Sequence, residues 1–211
     1  MSGKTPVVVC GSPGSGRTIF SYGLYAASPY TSNPLIEVDC YHLNAKQCDK
    51  LFKDERSPLF ENNYTILFKN LNALSPTLQN LFTYYLENLE LTSRHKVICT
   101  FTGDMGDLIA ANQFSQNLSY LISGFTIQLP SINHKPELIV SIARSYLNSL
   151  NQELPIQIAG FEPEALKLLE EHHWQYGISQ FQNRTETTCY PVQQPVYYRL
   201  KILQSHPLSS G

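Results

Sequence analysis

The stretch PVVVCGSPGSGRTIF, residues 6–20, decides how this chain folds. Its opening is a short β-branched run closed by glycine, with no polar position to face water. Such a run reads as a strand buried on both faces, as in a parallel sheet. The next eight residues are Gly11, Ser12, Pro13, Gly14, Ser15, Gly16, Arg17 and Thr18. They fit the phosphate-loop pattern G-x-x-x-x-G-K-[S/T] at every defined position but one. Backbone N–H groups of such a loop converge on a phosphate, and the helix that follows adds the positive end of its dipole. Thr18 stands where a hydroxyl would ligate magnesium. Arg17 stands where the pattern has lysine. A lysine reaches the β- and γ-phosphates as a compact charge, whereas a guanidinium is larger and planar, so the exchange is not neutral. These eight residues are the candidate nucleotide site. No cofactor is certain from them; ATP or ADP is the ligand they would take. The competing reading is a glycine turn inherited from a nucleotide-binding ancestor.

Outward from the loop, strand and helix patterns alternate. Further strand candidates are residues 35–38, 64–68 (YTILF), 96–101 (KVICTF) and 125–129 (FTIQL). A helix over residues 19–27 is expected to carry apolar residues on one face. Ser75-Pro76 opens another, with serine at the N-cap and proline in the first turn. Leu78, Leu81, Tyr85 and Leu89 then recur at helical spacing. Strands alternating with helices predict an α/β three-layer sandwich around a five-stranded parallel sheet. The pattern changes after Pro130. A long helix starting at Pro136 is expected to bury Leu138, Ile142, Tyr146 and Leu150, with further helices over residues 163–172 and 177–183. The expected organisation is an α/β core at residues 5–130, a small helical domain at 131–184 and a tail at 185–211. The tail is polar at first, but VYYRLKIL at 196–203 is apolar enough to dock back on the body.

The composition sets bounds. Of 211 residues, 42% are hydrophobic and 15% charged, and the net charge is −2. That describes a globular chain with no positive field to hold nucleic acid. The cysteines, Cys10, Cys40, Cys48, Cys99 and Cys189, form no C-x-x-C pair and read as reduced thiols. No secretory signal pattern and no membrane-length apolar run is visible, so a cytoplasmic location is expected.

The order of segments resembles the AAA+ domain of bacterial enhancer-binding proteins, the activators of sigma-54 RNA polymerase. The resemblance runs from about Pro6 to Asn183. The loop leads a helix ending in a segment similar to residues 25–28, then a strand similar to 34–40. TILFKNL (65–71) resembles the Walker B strand, and LSPTLQNLFTYYLE (74–87), including Gln79, the helix after it. FSQNLSYLI (114–122) resembles the arginine-finger helix. FEPEALKLL (161–169) and WQYGISQFQN (174–183) resemble the closing helices of the C-terminal lid. The resemblance implies a P-loop NTPase fold with an α-helical lid, and a role in transcription regulation.

The departures matter as much. Walker B normally ends in Asp-Glu, the metal carboxylate and the group that orients water. Here the corresponding residues are Lys69 and Asn70, which repel the metal and cannot act as a base. The sensor position corresponds to Thr102, the two finger arginines to Ser115 and Leu121, and the lid arginine to Ser179. The loop that carries GAFTGA and contacts sigma-54 should lie within KDERSPLFENN (53–63), which is too short and lacks the motif. A single arginine finger can be worth about 10³–10⁵ in rate. The expectation is therefore no catalytic residue, no metal site and no meaningful ATPase activity. The chain would act on a protein partner, a transcription activator or related component, without contacting DNA or membrane. Two alternatives stand beside this: an ATP or ADP sensor without turnover, and an active phosphotransferase using Asp39 or Asp104 as replacement carboxylates. Against the last, both aspartates also read as simple loop caps.

Overall fold

A computed structural model describes residues 4–153, 159–174 and 177–178. The chain divides into two compact units between Leu129 and Pro130. The first unit runs β1 (Val7–Gly11), α1 (Arg17–Ala26), β2 (Leu35–Asp39), α2 (Ala45–Lys53), β3 (Thr65–Lys69), α3 (Pro76–Asn88), α4 (Leu91–Arg94), β4 (Lys96–Thr102), α5 (Met105–Ala110), α6 (Gln116–Ile122) and β5 (Phe125–Leu129). The strands form one parallel sheet in the order β2-β3-β4-β1-β5. All five strand expectations are met to within one residue at either end.

Alternation along the strands sorts the core into two layers. Val8 and Cys10, Ile66 and Phe68, and Val97, Cys99 and Phe101 point to the larger layer, which α2, α3 and α6 fill with Phe52, Phe82, Leu86 and Leu118. Val9, Leu67 and Ile98 point the other way, against Leu24 and Tyr25 of α1. Phe82 packs edge-on to both Phe52 and Phe68, with ring centroids 4.9 and 5.1 Å apart. Ser75 caps α3 as its sequence requires, accepting from Leu78 N, with Pro76 in the first turn.

α1 departs from expectation. The sole fully buried residue along it is Ser21, while Ile19, Phe20 and Tyr22 are exposed. Ser21 turns inward because its hydroxyl donates to the Arg17 carbonyl at 2.8 Å, which satisfies it within the helix.

The second unit contains α7 (Pro136–Glu153) and α8 (Pro163–Glu171). The buried stripe of α7 is Ile139, Ala143 and Leu147, one residue further on than the sequence reading, with Ile142 and Tyr146 at its flank. A row spaced by four drifts around a helix with 3.6 residues per turn, so two adjacent rows share one apolar arc. The side chain of Leu150 lies outside the described residues. Trp174 and Leu169 complete this core, and the indole N–H donates to the Leu169 carbonyl at 3.0 Å. Most of the helix expected at 177–183, and the tail at 185–211, lie outside the described residues. Among the described residues no helix is long and apolar enough to cross a membrane.

Candidate functional site

The loop between β1 and α1 keeps the backbone of a phosphate cradle. Gly14 and Gly16 adopt φ of 74° and 83°, a region that favours glycine. A Cβ on Gly11 would lie 2.4 Å from Ser15 Oγ and 3.2 Å from the Leu129 carbonyl oxygen, so any side chain there must displace its neighbours. Ser15 N donates to the Ser12 carbonyl at 3.1 Å and closes the turn. The Ser15 hydroxyl is buried without a hydrogen-bond partner.

Arg17, the first residue of α1, turns back beneath this loop. Its Nη1 donates to the Gly11 carbonyl at 2.5 Å and to the Phe101 carbonyl at 2.8 Å. These carbonyls end neighbouring strands, since Cys10 pairs with Phe101 and Gly11 with Thr102. Gly11 O also accepts from Gly103 N at 2.9 Å. Burial lowers the guanidinium pKa, opposed in part by Tyr41 and Cys10.

Further along the same edge, the end of β3 has no carboxylate. Lys69 Nζ lies 3.1 Å from Glu37 Oε2 on β2, and the hydroxyl of Tyr22 on α1 donates to the same oxygen at 2.9 Å. Burial pulls the Lys69 pKa down, but the bond to Glu37 and the negative groups around it outweigh that and leave it raised. Asn70 sits at φ 55° and donates through Nδ2 to Asp39 Oδ1 at 3.3 Å. Its backbone N–H donates to Thr100 Oγ1 at 2.9 Å, and Thr102 N donates to Asn72 Oδ1 at 3.0 Å. The carboxyl ends of β2, β3, β4 and β1 are thus laced together by side chains, at the edge where ligands bind in open α/β sheets.

The replacement carboxylates weighed from the sequence both serve backbone amides. Asp39 Oδ1 accepts from Tyr41 N at 3.1 Å, and Asp104 caps α5 by accepting from Gly106 N at 2.7 Å and Asp107 N at 3.2 Å. Among the described residues no group of three or more His, Cys, Asp or Glu could hold a metal ion. Cys10, Cys40, Cys48 and Cys99 are buried and unbridged, and burial raises the pKa of each. Such thiols are inert fillers of the core; Cys189 lies outside the described residues.

At the finger helix, Ser115 is the N-cap of α6 and accepts from Leu118 N at 3.3 Å, and Leu121 is half-buried. Gln79 locks this helix to α3. Its Nε2 donates to the Leu74 and Gln113 carbonyls at 2.9 and 3.0 Å, and its Oε1 accepts from Ser115 N at 2.7 Å. Ser179 lies outside the described residues. The segment at 54–63 is pinned to the start of β4. Arg94 donates to Glu61 O at 2.7 Å, to Asn62 Oδ1 at 2.9 Å and to Phe60 O. His95, fully buried, takes Tyr64 N on Nδ1 at 3.4 Å and meets Leu59 O through Nε2 at 3.1 Å.

Sequence reasoning missed Glu37, Tyr22, Thr100 and Asn72 as members of this edge. Their partners lie on other strands, and no local pattern marks a pairing across a crossover. His95 carried a fainter signal, a histidine opening an apolar strand.

The sigma-54 interaction domain profile matches residues 1–132, and the chain belongs to that family. Among its relatives, the transcriptional regulatory protein ZraR of Klebsiella oxytoca is 24% identical over 202 residues, covering 85% of this chain and 46% of ZraR. The glycerol metabolism operon regulatory protein of Citrobacter freundii is 26% identical over 191 residues, covering 82% of this chain and 30% of that protein. The chain therefore spans less than half the length of these relatives. Among solved structures, NtrX of Brucella abortus in complex with ATP superimposes with a TM-score of 0.72 at 19% identity, covering 88% of this chain and 47% of NtrX. The fold is that of an AAA+ P-loop NTPase.

Proposed function

We propose that this chain is a non-hydrolysing member of its family, which regulates transcription through protein contacts. The observation that carries this reading is the end of β3. Lys69 and Asn70 there bind Glu37 and Asp39, so the carboxylates at the end of β2 are held by an ammonium and an amide. A metal at that position would face a bound cation, and an amide in place of the family's carboxylate cannot take a proton from water. Asp39 and Asp104, as amide acceptors, are poor candidates for the missing roles.

The surface of α1 supports the second half of the reading. Residues 18–36 contain no charged side chain, and Ile19, Phe20 and Tyr22 are exposed there. Depletion of charge with enrichment of aromatics is the composition of an interface core. The partner this surface fits is an apolar face of a transcription component, such as a hydrolysing member of the same family.

Two measurements test the proposal. Phosphate release from ATP with magnesium is expected to match buffer alone. An immobilised AAA+ domain of a hydrolysing relative is expected to retain the chain, and Ile19→Asp with Phe20→Asp to abolish retention without changing the melting temperature. Measurable turnover sinks the first half. The second half fails if there is no retention and deletion leaves sigma-54-dependent transcription unchanged.

A further inference from the structure

We infer that Arg17 is a latch that holds the phosphate loop shut against its own sheet, rather than a ligand for phosphate. This deepens the reading above, on which it rests, by saying what the inherited loop does in a chain that works through contacts.

Nη1 uses both of its hydrogens on backbone carbonyls, Gly11 O at 2.5 Å and Phe101 O at 2.8 Å. A charged donor makes each of these bonds stronger than a neutral one would. Gly11 O would keep Gly103 N if the guanidinium left. The carbonyl of Phe101, a fully buried residue, would likewise fall back on its sheet partner and lose a charged donor. Each lost charge-assisted bond to a buried carbonyl costs stability. The planar head thus ties the start of α1 to the paired ends of β1 and β4.

The neighbouring cation is bound in the same way, with Lys69 on Glu37. The loop therefore keeps its cradle shape through internal bonds, and Arg17 could turn to a phosphate only by giving up its two carbonyls. A loop maintained by its own arginine gives a rigid platform whose shape is indifferent to ATP concentration, which suits a module read by another protein.

The test is thermal melting of the full chain in metal-free buffer, with and without millimolar ATP, repeated with magnesium. The wild type is expected to shift by less than about 1 °C with ATP in either buffer, because a ligand stabilises only what it binds. Arg17→Ala is expected to melt about 4–8 °C lower with no nucleotide present, and Arg17→Lys in between. Should Arg17→Ala fail to fold, the Arg17→Lys melt and the wild-type ATP titration still decide.

The latch is overturned if ATP raises the wild-type melting temperature by several degrees and Arg17→Ala loses only that rise. It is equally overturned if Arg17→Ala melts with the wild type in the absence of nucleotide. ATP binding without turnover would sink the latch and leave the proposed function standing. A missing partner would sink the contact half of the proposed function and leave the nucleotide-free melts as expected, whereas turnover, which needs nucleotide in the loop, would sink both.

Discussion

The Lys69 ammonium and the Glu37 carboxylate meet at 3.1 Å across β2 and β3. In a hydrolysing relative, the family resemblance puts a metal carboxylate where Lys69 stands. On the proposed reading, the pair gives this edge a structural use, because the charge that would be left open to a metal is neutralised within the sheet. Restoring the family residues should therefore not restore function. The double variant Lys69→Asp, Asn70→Glu places a new carboxylate against Glu37 and removes the amide from Asp39. Arg17, Thr102, Ser115 and Leu121 remain. Phosphate release is expected to stay at background. The pair is partly solvated, so its loss is worth about 0.5–1 kcal/mol, or a fall of about 1–4 °C in melting temperature. ATP turnover well above background would mean that the end of β3 alone silences the site.

His95 gives the chain an acid sensitivity of predictable sign. It is fully buried, accepts from Tyr64 N and bonds Leu59 O, which fixes the neutral form with the proton on Nε2. Burial lowers its pKa, the bond to Leu59 O opposes this, and the charges of Arg94 and Lys4 lower it further. The unfolded chain then binds the proton more readily than the folded one. Stability is full above the unfolded value of about 6.5 and is lost as pH falls below it, at most about 1.4 kcal/mol per unit from this group. The melting temperature is expected to fall between pH 7.5 and 5 more steeply in the wild type than in His95→Leu. The variant itself should be less stable at pH 7.5, since Tyr64 N and Leu59 O lose their partner. Parallel profiles would remove His95 as the source.

The positions of the strands were readable because each depends on a local pattern. PVVVC and YTILF are apolar throughout and bounded by turn residues, and a parallel strand covered on both faces needs nothing more. The helix caps were readable for the same reason, since Ser75 and its first amides are neighbours in the chain. The burial of α1 was not, because beyond Arg17 the helix has no charged face to orient it, and Ser21 rather than Ile19 turned inward. The loop residues 11–18 were found from their glycines, yet the seat of Arg17 was not. Its carbonyl partner at Phe101 is contributed by a strand that the chain reaches from β1 only after three crossovers. Lys69 and Asn70 were singled out by what they replace, while their partners Glu37 and Asp39 followed only from the register of β2 on β3.

Gln79 carries the connection between α3 and the finger helix. It is buried at 2% exposure and makes three hydrogen bonds, to Leu74 O, Gln113 O and Ser115 N. Gln79→Leu fills nearly the same volume but leaves the Ser115 amide and two carbonyls short of a partner. Each buried orphan costs about 1–3 kcal/mol, and partial solvation at this edge puts the total near about 2–4 kcal/mol. Urea unfolding of the variant should show a lower midpoint with an unchanged slope. Gln79→Glu should recover part of the loss if its protonated carboxyl can donate, so its midpoint should rise toward acid pH relative to Gln79→Leu. A Gln79→Leu midpoint within error of the wild type would mean that α6 is held by its apolar contacts alone.

Two glycines at either end of the same loop and helix should respond to alanine in opposite directions. Gly11 has no room: a methyl there meets Ser15 Oγ at 2.4 Å, with Leu129 Cβ and the Leu129 carbonyl both at 3.2 Å. The hydroxyl could rotate away, but the backbone of β5 cannot, so β1 and β5 must part or the loop must shift. Overpacking of this kind costs about 1–3 kcal/mol. Gly23 lies within α1, and a methyl there meets nothing within 4 Å. In an open helical position alanine is favoured over glycine by about 0.5–1 kcal/mol. Gly11→Ala should therefore lower the unfolding free energy and Gly23→Ala raise it, both read by urea denaturation. If Gly23→Ala also abolished retention on an immobilised partner while stabilising the chain, the open space beside it would be the seat of that partner. If instead it destabilised the chain, the exposed face of α1 would already be covered.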